Sequence, residues 1–132
     1  MNFASIRIIT ADVARLVAFY ERVTGGQAGW ANEDFAEIAL GPVTLAIGSE
    51  RTVALFGAGS AEAGVNRSVI VEFLVDDLDS YYAQLAGAAP DFVNEPTTMP
   101  WGNRSLLLRD PDGNLVNVFT PVTAAAKAKF GR

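Results

Sequence analysis

MPWGNRSLLLRDPDGNLVNVFTPV, residues 99–122, reads as a β-hairpin with an aromatic just ahead of it. NRSLLLR and NLVNVFT are strand-like runs, and DPDGN between them supplies the turn. Asp110, Pro111, Asp112 and Gly113 suit a type I turn, with Gly113 or Asn114 taking a positive φ. Turn chemistry accounts for each of these residues, so they report fold and not activity. Trp101 is different. Nothing in the local pattern asks for an aromatic ahead of the seventh strand, so Trp101 is a candidate ligand contact, with core or dimer packing as the alternative.

Working outward, SVIVEFLV (68–75) precedes this hairpin as a strand ending at Asp76 and Asp77. LDSYYAQLAG follows as a helix with Leu78, Tyr81, Tyr82 and Leu85 on its apolar side and Gly87 as its C-cap. The same order occurs near the start. ASIRIITA (4–11) is strand-like, Asp12 caps a helix, and Val13, Leu16, Val17, Phe19, Tyr20 and Val23 form its apolar stripe up to Gly25 and Gly26. GQAGWANE, DFAEIALG and VTLAIGSE then read as three strands. Strand, helix, three strands therefore occurs twice, as an architectural repeat. RTVALFGAGSAEAGVN (51–66) starts extended and turns Gly- and Ala-rich, so module one covers about 1–56, the linker about 57–67, and module two about 68–122. The tail 123–132 forms a short helix or is disordered. The expected class is α+β: two βαβββ modules in tandem, curved mixed sheets around a cleft, and helices on the outer faces. A cleft lined by sheets is a natural small-molecule site.

Composition narrows the chemistry. The chain has 132 residues, half of them hydrophobic, which suits one compact domain with a sizeable core. Its formal charge of −5 disfavours nucleic acid and anionic membrane as partners. With no Cys and no His, disulfides, thiol chemistry and any Ser-His or Cys-His nucleophile are excluded. No signal peptide is read at the N-terminus, and no apolar run is long enough to span a bilayer. A cytoplasmic location is the default expectation.

ADVARLVAFYERVTGG, VDDLDSYYAQLAG and WGNRSLLLRDPDGNLVNVF, in that order, resemble the vicinal oxygen chelate superfamily, which includes glyoxalase I, extradiol dioxygenases and bleomycin-resistance proteins. The resemblance covers nearly the whole chain and is nearest to the metal-free, drug-binding branch. Enzymes of that superfamily hold a divalent metal with His, Gln or Glu on the first, fourth, fifth and eighth strands. Here those positions fall on Ser5, Leu45, Ile70 and Asn117. Leu and Ile have no donor atom, and a hard cation or zinc wants carboxylates, His or Cys. The expectation is no metal and no cofactor. The resemblance also implies a homodimer.

Alternation along the strands puts Arg7 with Ser5 and Ile9, and Glu72 with Ile70 and Leu74, facing the cleft together with Leu45, Ile47, Leu115, Asn117 and Phe119. Arg7, Glu72 and Asn117 are then the polar contacts of an apolar pocket. The competing account is an Arg7–Glu72 ion pair that only fixes the modules. Trp30, Phe35 and Trp101 are aromatic rim candidates, since stacking tolerates varied planar ligands. The leading functional expectation is metal-independent binding or sequestration of a small aromatic or amphipathic molecule, as in antibiotic-resistance proteins. The alternative is a glyoxalase- or dioxygenase-like enzyme with a non-standard site and Glu72 as acid or base. A degenerate domain kept for protein contact is the third.

Overall fold

The structure is a computed structural model that describes residues 1–88 and 90–132. It has two compact units, residues 1–66 with 111–113 and residues 67–110 with 114–132.

In the first unit β1 (Ser5–Thr10) leads into α1 (Val13–Thr24). Asp12 Oδ1 accepts from the Arg15 amide at 3.1 Å and starts the helix. Gly25, at φ 70°, ends it by donating its amide to the Glu21 carbonyl at 2.9 Å. The apolar spacing read from the sequence is the buried face of α1: Val13, Leu16, Val17, Phe19, Tyr20 and Val23. β2 (Gly29–Asn32), β3 (Phe35–Leu40) and β4 (Val43–Ser49) follow, and the sheet order is β1-β4-β3-β2. β1 pairs parallel with β4, and the other two pairings are antiparallel. Pro111–Gly113 group with this unit, and Arg15 Nη2 donates to the Pro111 carbonyl at 2.6 Å.

One expectation fails here. Residues 50–57, read as extended at their start, form α2 (Glu50–Gly57). Ser49 sits at the N-cap and Glu50 in the first turn, where a carboxylate favours the helix dipole. Thr and Val read as strand formers, but this segment leaves the sheet at once and Val53 packs down as its buried residue.

The second unit repeats the plan. β5 (Ile70–Leu74) leads into α3 (Leu78–Ala86). Asp77 caps α3, accepting from the Ser80 amide at 3.1 Å and from Ser80 Oγ at 2.8 Å. Those bonds hold its carboxyl below the usual carboxylate range. The next strand is broken into β6 (Asp91–Phe92) and β7 (Thr97–Thr98), both paired with β8 (Asn103–Arg109). β9 (Leu115–Pro121) closes the sheet, parallel to β5 and antiparallel to β8. The tail forms α4 (Ala124–Lys129), capped by Thr123. No helix among the described residues is long and apolar enough to cross a membrane.

The β8–β9 turn is held by Asp110 and Asn114, both buried. Asn114 donates its amide to Asp110 Oδ1 at 2.9 Å and its Nδ2 to Oδ2 at 2.7 Å. Gly113 is the residue that takes the positive φ, at 82°. The glycine of the Trp-Gly step has another reason. Gly102 lies at φ 97°, and its carbonyl accepts from the amides of Val122 at 2.8 Å and Thr123 at 3.3 Å. A Cβ there would run into Thr123 Oγ1 and come within 3.1 Å of Ala126 Cβ. Only glycine lets α4 seat on this turn.

Gly102→Ala and Gly113→Ala separate two costs. Both carry left-handed strain of about 1–2 kcal/mol. Gly113 has open space around it, whereas Gly102→Ala adds an overpacking cost of about 1–3 kcal/mol. Thermal melts are expected to place Gly102→Ala several degrees below Gly113→Ala. Equal melting temperatures would remove the α4 contact from the explanation.

Candidate functional site

Paired positions on neighbouring strands share a face of the sheet. In the first unit, Ile6, Leu45 and Ile38 form one row, and Ile8, Ile47, Ala36 and Trp30 the next. Ala36, Ile38, Leu45 and Ile47 are all buried. This is the face packed under α1. The opposite face carries Ser5, Thr44 and Ala39, then Arg7, Ala46 and Glu37, then Ile9, Gly48 and Phe35.

That register corrects two expected site residues. Leu45, 4% exposed, belongs to the α1 core and not to the face of Arg7, and Ile47 goes with it. A strand read one residue out of phase reverses every side chain. Trp30 pairs with Ala36, so it lies in a row of the α1 face at the sheet edge, half exposed, and does not join Phe35. Phe35 and Arg7 are together on the open face. Arg7 Cζ stands 5.1 Å from the Phe35 ring centroid and 6.0 Å from that of Phe56. Phe56, on α2, is a member that sequence reasoning missed, because the segment was read as extended. Gly48 makes the arrangement possible. A Cβ there would come within 2.9 Å of Thr52 Oγ1 on α2 and 3.5 Å of Phe35 Cδ2.

In the second unit, Val71, Leu106, Leu108, Val116 and Val118 are buried and share the α3 face. The other face carries Ile70, Leu115 and Arg109, then Glu72, Asn117 and Leu107, then Leu74, Phe119 and Ser105. Glu72 and Asn117 are directly joined: Asn117 Nδ2 donates to Glu72 Oε2 at 2.7 Å. The amide orientation is thereby set, and Asn117 Oδ1 is left buried with no hydrogen-bond partner among the described residues. Ser105 Oγ on the same face is also buried and unpartnered. Such acceptors cost about 1–3 kcal/mol unless something donates to them.

Phe119 shares this face but does not line an open surface. It is 6% exposed, with the Phe130 ring 5.2 Å away beyond α4. The tail that covers it carried no strong sequence signal. Trp101 is 68% exposed in the turn before β8 and makes no aromatic contact among the described residues. A cavity of about 290 Å³, unforeseen from the sequence, lies beside Leu74, Asp76, Thr120, Pro121, Lys127 and Arg132. Arg132 Nη1 pairs with Asp76 Oδ1 at 2.5 Å at its mouth. Tyr81, on α3, is half buried, and desolvation pushes its hydroxyl up to about 12. Its neighbour Tyr82 packs edge-on to Phe92 at 5.1 Å.

The positions that the resemblance assigns to metal ligands are Ser5, Leu45, Ile70 and Asn117, and on β4 the residues sharing the face of Ser5 are Thr44 and Ala46. Among the described residues no group of three His, Cys, Asp or Glu side chains converges. This donor set does not fit a divalent metal.

The sequence profile described as Glyoxalase/Bleomycin resistance protein/Dioxygenase superfamily matches residues 2–118. The chain belongs to this superfamily. Among solved structures of the superfamily fold, a glyoxalase/bleomycin resistance protein/dioxygenase family enzyme from Burkholderia phytofirmans PsJN is 18% identical, with TM-score 0.80 over 92% of this chain and 100% of that one. A glyoxalase/bleomycin resistance protein/dioxygenase from Nocardioides is 21% identical, with TM-score 0.78 over 94% and 85%. A lactoylglutathione lyase from Agrobacterium tumefaciens is 19% identical, with TM-score 0.71 over 90% and 92%. At these identities the likeness is one of superfamily fold. No curated protein matches the chain in sequence.

Truncating the two rings from the C-terminal hairpin should give opposite results. Phe119→Ala is expected to cost about 3–5 kcal/mol, the usual range for a buried Phe. Trp101→Ala should stay within about 0.5 kcal/mol of the parent, as for an exposed side chain. Urea unfolding reads both, and a large loss at Trp101 would mean that its ring is packed.

Proposed function

We propose that this chain binds or sequesters a small aromatic or amphipathic molecule without a metal, in the manner of the antibiotic-resistance members of its superfamily. The observation that carries the reading is the donor set. The positions that the superfamily resemblance assigns to metal ligands fall on Ser5, Ile70, Asn117 and, on β4, Leu45 or its neighbours Thr44 and Ala46, and the sequence has no His or Cys to replace them. What the open sheet faces offer instead is suited to binding. Phe35 and Phe56 stand beside a cation, and Glu72 is tied to Asn117. Affinity would come from apolar burial at ~25 cal/mol per Å², less the cost of association. Trp101 remains a candidate rim contact because it is exposed and free of aromatic partners. A homodimer in the cytoplasm belongs to the same reading.

A second reading has one observation in its favour. Asn117 Nδ2 holds the Glu72 carboxylate in a fixed direction, as a positioned acid or base would need. In that case Glu72→Gln would abolish turnover of an aldehyde or catechol substrate, whereas a binding protein has no turnover to lose.

Thermal melts and calorimetric titrations with planar antibiotics and with zinc, nickel and manganese test the proposal. A ligand at about a hundred times its Kd should add ~2.7 kcal/mol and raise the melting temperature by several degrees. The metals are expected to leave it unchanged. Metal-dependent turnover of methylglyoxal adducts or catechols would overturn the binding reading. Sedimentation at the monomer mass would remove the homodimer.

A further inference from the structure

We propose that the open face of the first unit's sheet recognises a planar aromatic monocarboxylate, with Arg7 taking the carboxylate and Phe35 and Phe56 the ring. The inference rests on the small-molecule reading above and names its ligand class. Arg7 sits mid-strand on β1, exposed, with its guanidinium carbon 5.1 Å and 6.0 Å from the two ring centroids. Aromatic contact engages the flat side of a guanidinium and orients it, while the N–H donors around its edge stay available. Among the described residues, none of the ion pairs involves Arg7. The fork matches two carboxylate oxygens in one plane, a bidentate and charge-assisted pairing.

Charge and shape select further. Phe56 is 69% exposed, so a flat apolar occupant would remove a solvated ring from water. Ala46, between Arg7 and Glu37 in one row, is buried, as is Gly48 on the same strand, so the accessible part of this face that takes the ligand is formed by Arg7, Phe35 and Phe56. Glu37, across Ala46, repels a second negative charge and argues against dicarboxylates. The whole chain carries −5, so attraction to an acid must be local to Arg7.

Calorimetric titration of the full chain with naphthoate, naphthamide and naphthylmethylammonium tests this. Naphthoate is expected to bind about tenfold or more tighter than naphthamide, the gain typical of a charge-assisted pair. Arg7→Met should abolish that preference while leaving naphthamide binding in place. Arg7→Lys, which keeps the charge without the fork, should retain part of it. Phe56→Ala should weaken both compounds and preserve their ratio. Equal affinities in the parent, a preference for the ammonium, or a preference that survives Arg7→Met each overturn the inference while leaving small-molecule binding intact. If none of the three binds, the inference falls. The broader reading falls with it only if the planar antibiotics also fail.

Discussion

Each unit is organised by one parallel pairing, β1 with β4 and β5 with β9. A parallel neighbour cannot be reached by a tight turn, so the chain must cross over, and α1 and α3 make that crossing. The helix then covers one face of the sheet. Which residues are core and which are presented follows from the register of those ladders alone. Ile6, Leu45 and Ile38 go under α1, while Arg7, Ala46 and Glu37 go to the other side. Slip β4 by one position and Leu45 and Ile47 turn away from α1 while Ala46 and Gly48 take their place beneath it.

The open faces have different chemistry in the two units. The first offers a hydrogen-bond donor, Arg7, beside aromatic rings. The second offers acceptors, the Glu72 carboxylate and the orphan oxygen of Asn117. Neither offers what a metal needs. Among the described residues no three His, Cys, Asp or Glu side chains come together.

Much of this was legible beforehand. Asp12 and Asp77 as caps, the α1 stripe, the turn at Gly113 and the shared face of Glu72, Asn117 and Leu74 all follow from short-range rules. The misreadings have a common cause. The expectation for Leu45 comes from the resemblance, which sets a metal position near it in VTLAIG, and alternation gives no independent phase in so apolar a run. Trp30 lies at an edge with a register shift after it, where phase is again ambiguous. Phe56 was missed because RTVALF has strand-like residues, and its helix is set by where β4 ends. Phe119 was taken as lining because nothing in TAAAKAKFGR announces that Phe130 will cover it.

By itself the sequence determined the class of fold, the two-module order, and the absence of thiol and imidazole chemistry. These depend on composition and on contacts within a turn or two of chain. Tertiary structure decided the phase of the central strand, the seating of α4 on Gly102, and the meeting of Arg7 with Phe35 and Phe56. Those depend on which surfaces pack against which, and residues 7, 35 and 56 are joined only when β1, β3 and α2 come together.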